Sequence, residues 1–173
     1  MTRMQLLHDL SKSIIQRRRP SAASPELWKA LARLAVLTLQ AQRPVSTTAI
    51  GNEAQIWQLT DTRFVVEHNG TLSFALPVFE QHFGAQSISS GTIEIEAAAS
   101  RDSFPSWRYA IASVIATCSG SAEREQLLCR VARTSPAALS WVLDEIEPEN
   151  TRRKLNVVSH EAASSQDRNA GAA

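Results

Sequence analysis

Histidine, cysteine and carboxylate side chains could carry acid–base or nucleophilic chemistry, but their spacing in this chain works against it. Glu80 and His82 stand two residues apart in a helical segment, so they point to different faces and suit neither a shared metal nor a proton relay. Cys118 and His82 could meet as nucleophile and base only through the fold. On an apolar helical stripe the Cys118 thiol would stay protonated and react poorly. We therefore predict no catalytic residue, no metal site and no cofactor.

The cysteines and glycines lack the other common chemical motifs. Cys118 and Cys129 have neither a metal-ligand spacing nor the spacing of a CxxC redox pair. Both fall in apolar helical segments, which predicts buried, reduced thiols. None of the six glycines belongs to a phosphate-binding loop that ends in Lys followed by Ser or Thr. Nucleotide hydrolysis is therefore unsupported, and a small hydrolase with an unrecognised cleft is the enzymatic alternative.

The overall composition is that of a globular chain with almost balanced charge. The 173 residues are 43% hydrophobic and 20% charged, and 18 basic against 17 acidic side chains leave a net charge of +1. This balance creates no general attraction to nucleic acid or anionic lipid. The apolar runs are too short to span a membrane, and Asp9 and Lys12 interrupt the apolar core that a secretory signal needs. The composition predicts a cytoplasmic protein without a membrane segment.

Apolar spacing divides the chain into four parts. Residues 1–19 are predicted to form an amphipathic helix that ends in the basic run Arg17 to Arg19. Residues 25–90 form a first module, and residues 104–147 form a second, purely helical module. The tail, residues 158–173, is rich in small and polar residues and is predicted to be disordered.

The first module begins with a helix over residues 25–43, started by Pro25 after a capping Ser24 and stopped by Pro44. Two short helices around Gly51-Asn52 are expected to follow. Their core candidates are Val45, Ile50, Ile56, Trp57 and Leu59.

A β-hairpin is predicted over residues 63–75, where two apolar runs flank Asn69-Gly70. A two-residue loop would place Val66 opposite Ser73 and mix apolar with polar side chains on each face. A three-residue loop pairs Val66 with Leu72 and Phe64 with Phe74, which collects the apolar set on one face. We predict the three-residue loop, with Gly70 in a left-handed bulge position.

Helices account for the rest of the chain. One starts at Pro77 with Val78, Phe79, Phe83 and Ile88 inward, and Gly84-Ala85 allows another element to approach closely. Three helices with short links then suggest antiparallel helical hairpins. The predicted inward residues of the first are Trp107, Ile111, Val114, Ile115 and Cys118, and those of the last are Leu139, Val142, Leu143 and Ile146.

This order of elements predicts a mainly α fold, with a winged-helix-like unit followed by antiparallel helical hairpins. Winged helices often bind DNA, and a reader of the major groove needs Lys or Arg to meet phosphates and base edges. Between Pro44 and Thr62 there is neither Lys nor Arg, whereas Glu53 and Asp61 are acidic. Basic residues do cluster in two runs, at Arg17 to Arg19 and at Arg152 to Lys154. DNA binding by a winged-helix transcriptional regulator is therefore the alternative function.

The stretch FALPVFEQHFGAQSI, residues 74–88, followed by WRYAI from Trp107, resembles the C-terminal winged-helix and helical arm of STAND-class nucleoside triphosphatases of the NACHT type. The chain departs from that family's usual pattern at three positions. It has Leu76 where the family commonly has His, Gln81 where the family commonly has Glu, and His82 where an aromatic residue is typical. The residues that match the pattern are Phe74, Phe79, Phe83, Ala85 and Ile88. The candidate motif or interaction residues are Phe74, Phe79, Phe83, Ala85 and Trp107.

The resemblance implies a regulatory arm whose ATP-binding module would precede this segment. The expected function is a non-catalytic regulatory or interaction module, in a fragment or remnant of a signalling ATPase, with a protein partner. The aromatic residues Phe74, Phe79, Phe83 and Trp107 are interpreted first as core residues.

Overall fold

The structure is a computed structural model that describes residues 25–146, together with residues 9, 10 and 13. Most of the predicted helix 1–19, both basic runs and the predicted tail 158–173 lie outside the described residues. Among the described helices, none is both long and apolar enough to cross a membrane.

The first half of the described chain has the element order of a winged helix. A long helix is followed by a short strand, two short helices and a β-hairpin, and the three strands form one antiparallel sheet in the order β1-β3-β2. The elements are α1 (Pro25–Ala41), β1 (Val45–Ser46), α2 (Thr47–Ile50), α3 (Glu53–Asp61), β2 (Val65–His68) and β3 (Thr71–Phe74).

Side-chain caps set the two short helices. The Ser46 hydroxyl accepts a hydrogen bond from the Thr48 N–H at 3.4 Å, and the Asn52 Oδ1 accepts one from the Gln55 N–H at 3.0 Å. Such caps satisfy amide groups that have no partner inside a helix. The prediction of two short helices around Gly51-Asn52 is confirmed.

The predicted hairpin is present, but its predicted register was wrong. Val65 pairs with Phe74 and Val66 pairs with Ser73, so the loop is the two-residue Asn69-Gly70. Asn69 and Gly70 have φ values of 50° and 71°, which suits the type I′ turn that matches strand twist. Because the loop is one residue shorter than predicted, Val66 points away from the core and is 45% exposed.

A neighbouring strand explains why this register still buries an apolar face. β1 pairs with β3 and places Val45 opposite Leu72. Val65 and Phe64 are each 2% exposed although they are adjacent in sequence, because regular strand begins only at Val65, after the positive φ of 62° at Arg63. Strand alternation, which underlay the prediction, does not extend to Phe64.

The second half is helical. Its helices are α4 (Pro77–Ser89), α5 (Ile95–Ala99), α6 (Phe104–Thr117), α7 (Ser121–Thr134) and α8 (Pro136–Ile146). α8 contacts both α6 and α7, and α5 packs against α6 and α7. The sequence did not predict the short helix α5. The mainly α class with a hairpin and packed helices is confirmed.

Two apolar clusters form the core, and α4 belongs to both. Phe79 and Phe83 pack with α1 and the sheet, whereas Ala85 and Ile88 pack with α5, α6 and α8. A Cβ atom added to Gly84 would lie 2.6 Å from Cδ1 of Leu39, so the predicted close approach at this glycine is made by α1. The helix is buried on several sides, as expected of a helix without a polar face.

Several predicted core positions are at the surface instead. Trp57 is 52% exposed and Leu143 is 36% exposed. Cys129 is exposed and Cys118 is partly exposed at the end of α6, so the prediction of two buried thiols was wrong. Tertiary packing leaves the helix faces that carry Trp57, Leu143 and Cys129 at the surface, whereas Cys118 follows the last residue of α6.

Arg130 of α7 clamps the start of α5. Its Nε and Nη2 donate to the two oxygens of Glu96, and Nη2 also donates to Glu94 Oε2, each at 2.6 Å. The hydrogen bond from Arg130 lowers the pKa of Glu96 below its usual value. Two-point contact of this kind fixes orientation as well as distance.

Truncation of Phe83 to Ala is expected to lower the free energy of unfolding by about 3 to 5 kcal/mol, because a fully buried ring leaves a cavity. Phe83 is 0% exposed, and Phe79, for which a similar loss is expected, is 8% exposed. Urea denaturation measures the change. Leu76→Ala is the control, since Leu76 is 54% exposed and should change the value by less than about 0.5 kcal/mol. Near-neutral values for both Phe variants would contradict the described core.

Replacement of Arg130 by Gln is expected to cost about 1 kcal/mol or less at pH 7, since both partners are partly solvated. Because the folded-state pKa of Glu96 lies below its unfolded value, the contribution is present above the unfolded pKa and is lost as the pH falls through the folded pKa. The stability difference between the variant and the parent should therefore shrink between pH 7 and about pH 3. Arg101→Gln, at an exposed position, should show no such trend.

Candidate functional site

A groove of about 940 Å³ lies where the winged-helix unit meets the helical half. One wall comes from the end of α1, the end of β3 and the first turns of α4, and includes Leu39, Phe74 and Val78. The opposite wall comes from α6 and the end of α8, and includes Tyr109 and Ala112. The groove therefore depends on both halves of the described fold.

Gln81 ties the two walls together. Its Nε2 donates to the Ser106 carbonyl oxygen at 2.8 Å, and its Oε1 accepts from the Ala110 N–H at 3.0 Å. These two backbone groups are four residues apart and are the pair that a regular α-helical hydrogen bond would join. The Gln81 side chain on α4 thus hydrogen-bonds to the backbone of α6. These two hydrogen bonds fix the separation of the two helices at the groove.

An arginine held against aromatic rings lies on the α6 side of the groove. The Cζ atom of Arg108 lies 5.0 Å from the ring centre of Tyr109 and 5.3 Å from that of Trp141. Tyr109 meets Trp141 edge to face with centroids 5.2 Å apart. The Arg108 Nε atom is buried and makes no hydrogen bond within the described residues, so cation–π contact orients this guanidinium.

The groove lining combines both charges with apolar surface. Arg43 and Arg108 contribute positive charge, and Glu80 and Glu145 contribute negative charge. Groups of three or more His, Cys, Asp or Glu side chains arranged to hold a metal ion do not occur among the described residues. The lining therefore suits recognition of a surface with apolar and mixed-charge groups.

Cys118 and His82 each hydrogen-bond to a group of their own helix or the turn that follows it. The Cys118 Sγ donates to the Gly120 carbonyl oxygen at 3.6 Å, and desolvation with the nearby Glu123 raises the pKa of the thiol. His82 is 4% exposed and its Nε2 shares a hydrogen bond with Gln86 at 3.0 Å. A protonated thiol is a poor nucleophile.

The five candidate motif residues are divided between the core and the groove. Phe79, Phe83, Ala85 and Trp107 are buried, at no more than 8% exposure, whereas Phe74 is partly buried and lines the groove. The burial of Phe79, Phe83 and Trp107 agrees with their interpretation as core residues. Of the five, only Phe74 is placed to touch a ligand in the groove.

Sequence reasoning missed the groove residues that matter most. In the sequence, Gln81 stands out only as a departure from a family pattern, and no motif marks Arg108, Tyr109 or Trp141. A usable signal was present, because Arg, Tyr and Trp are the residues most enriched at binding hot spots. Their convergence from α6 and α8, however, is a property of the tertiary structure.

Comparison of the chain with known protein families, with curated proteins and with solved structures finds no match. The groove and its contacts therefore provide the basis for a functional proposal.

Replacement of Gln81 by Glu is expected to destabilise the fold by about 1 to 3 kcal/mol at pH 7, because a carboxylate cannot donate to the Ser106 carbonyl and repels it. This environment favours the protonated acid and raises its folded-state pKa, so the penalty should appear above the unfolded pKa and fade as the pH falls below about 4. Urea denaturation across this range measures it. Gln58→Glu, on the exposed side of α3, is the control. Equal destabilisation by the two variants would contradict the hydrogen bonds between Gln81 and the backbone of α6.

Proposed function

We propose that the chain is a non-catalytic regulatory or interaction module that binds a protein partner in the groove between its winged-helix and helical halves. The observation that carries the proposal is the lining of that groove, where Phe74 and Val78 face Tyr109 and Arg108. Apolar and aromatic groups beside arginine are typical of the centres of protein interfaces.

Preorganisation supports the same proposal. The hydrogen bonds of Gln81 hold α4 against α6. Contacts with the rings of Tyr109 and Trp141 hold the Arg108 guanidinium in place. A rigid surface loses less side-chain entropy when a partner binds. The groove is therefore suited to recognising a preformed partner surface without reorganising its own walls.

The DNA-binding alternative has weaker support. In helix-turn-helix proteins the second helix of the pair enters the major groove, and α3 has that position here. Its exposed residues include Glu53 and Trp57, and the segment from Pro44 to Thr62 contains neither Lys nor Arg. Lys and Arg supply most of the electrostatic affinity for the DNA backbone, so the charge of α3 favours a partner other than DNA.

A relation to the arm of a NACHT-type signalling ATPase belongs to this proposal as well. The aromatic residues of the resembling stretch pack α4 between the winged-helix unit and the helices that follow. A helix shared by two apolar clusters is suited to relaying a partner's binding from one half to the other. In this proposal the module regulates an activity that lies in another protein segment.

Blocking the groove should remove partner binding. Ala116 is exposed, lines the groove and lies near the end of α6, so Ala116→Arg is expected to fill the groove without removing core packing. Affinity capture from source cells, followed by titration of the purified partner, should show at least about tenfold weaker binding, which corresponds to about 1.4 kcal/mol.

Ala137→Arg is the matched control, since Ala137 is exposed on α8 and does not line the groove. A partner retained by Ala137→Arg and lost by Ala116→Arg would support the proposal. Equal affinity of the partner for both variants would overturn the groove as its binding site.

A further inference from the structure

Four charged side chains line the groove, and they do not pair with one another. Arg43 follows α1 and Glu80 lies on α4, whereas Arg108 lies on α6 and Glu145 on α8. No ion pair joins any of the four to another residue in the described part of the chain. Both the positive and the negative charges of the lining are therefore open to a partner.

Arg108 is the one of these four residues that ring contacts hold in place. Its Cζ atom lies 5.0 Å from the ring centre of Tyr109 and 5.3 Å from that of Trp141. Its Nε atom is buried and has no hydrogen-bond partner among the described residues. A buried charge without an acceptor costs free energy. An anionic acceptor beside the guanidinium would stabilise that charge.

We infer that the partner proposed for this groove presents a carboxylate to Arg108, from an Asp or Glu side chain next to an aromatic or large aliphatic residue. The inference rests on the proposed function, because it names the chemistry recognised in the same groove. A carboxylate accepts two parallel hydrogen bonds from a guanidinium, and a guanidinium already oriented by rings loses less freedom on forming them. Arg108 thereby selects acidic segments of a partner.

Apolar surface adjoins Arg108 on α6. The Tyr109 ring, which contacts the guanidinium, is 42% exposed. Ala112 lines the groove about one turn further along α6, and Phe74 lines the opposite wall. The small side chain of Ala112 leaves room for a large one from the partner. Such a side chain next to the partner's carboxylate would exclude water, which strengthens the ion pair with Arg108.

The charge balance of the lining favours a carboxylate over a phosphate. Two arginines and two glutamates give the described lining no net charge, whereas sites for phosphorylated segments use clusters of arginine. A phosphate group carries a charge of about −1.5 to −2, which Glu80 and Glu145 would repel. Arg43, the other cation of the lining, is exposed and is not held by ring contacts of the kind that orient Arg108.

Short random peptides displayed on phage are the probe, because they presuppose no particular partner. Selection on the purified full chain should enrich sequences that share an Asp or Glu next to an aromatic or large aliphatic residue. Their binding should be lost in Ala116→Trp, which fills the groove without adding charge. Binding should be retained in Ala137→Trp, since Ala137 is equally exposed but does not line the groove.

A double-mutant cycle then tests the contact with Arg108. Synthetic peptides with the selected acid, or with Asn or Gln in its place, are titrated against each chain by fluorescence anisotropy. The parent chain should bind the acidic peptide at least about tenfold more tightly than the amide peptide. Arg108→Gln should bind the two peptides equally, because the interaction is already absent. Arg43→Gln, a matched change in the same groove, should keep the preference for the acid.

The outcomes separate this inference from the proposed function. Peptides that require an open groove but carry no acid, or whose preference for the acid survives Arg108→Gln, would overturn the inference and leave the groove as a binding site. A preference for phosphoserine over the acid would also overturn it. Failure to enrich any peptide, or equal binding to Ala116→Trp and the parent, would overturn both. The comparison of acid and amide peptides on the parent chain does not depend on the fold of any variant.

Discussion

The packing of α4 into two apolar clusters at once is the constraint on which the described structure depends. Its first turns contribute Phe79 and Phe83 to the winged-helix core, and its last turns contribute Ala85 and Ile88 to the helical core. Close packing tolerates little displacement, and Gly84 leaves space for Leu39 of α1 at the crossing. The sheet, α1 and the later helices are therefore oriented through one shared helix.

The groove is a consequence of this arrangement. Two halves that share α4 leave a cleft beside it, and Gln81 bonds α4 to the backbone of α6. On a different face of the same helix, the Ser87 hydroxyl donates to the Ala32 carbonyl oxygen of α1 at 3.3 Å. Hydrogen bonds from two faces of this mostly apolar helix add directional specificity to packing that is otherwise non-directional.

The hairpin illustrates how far local sequence rules extend. Asn69-Gly70 predicted the turn and its position, because few dipeptides accept two positive φ values. The register was wrong because the prediction required one uniform apolar face from Phe64 onward, whereas regular strand begins at Val65. Pairing with β1, a strand of two residues, supplies part of the buried face, and so short a strand has no periodic signal of its own.

The amino-acid sequence by itself determined that the long helices and the hairpin exist, and it determined their approximate bounds. It also determined that α3 contains neither Lys nor Arg. These features depend on local backbone preferences and on residue types. Only the tertiary structure decided the hairpin register, the exposure of Trp57 and Cys129, and the meeting of Gln81, Arg108 and Tyr109 at the groove. Those features depend on contacts between residues far apart in the chain, for which a single sequence carries no periodic signature.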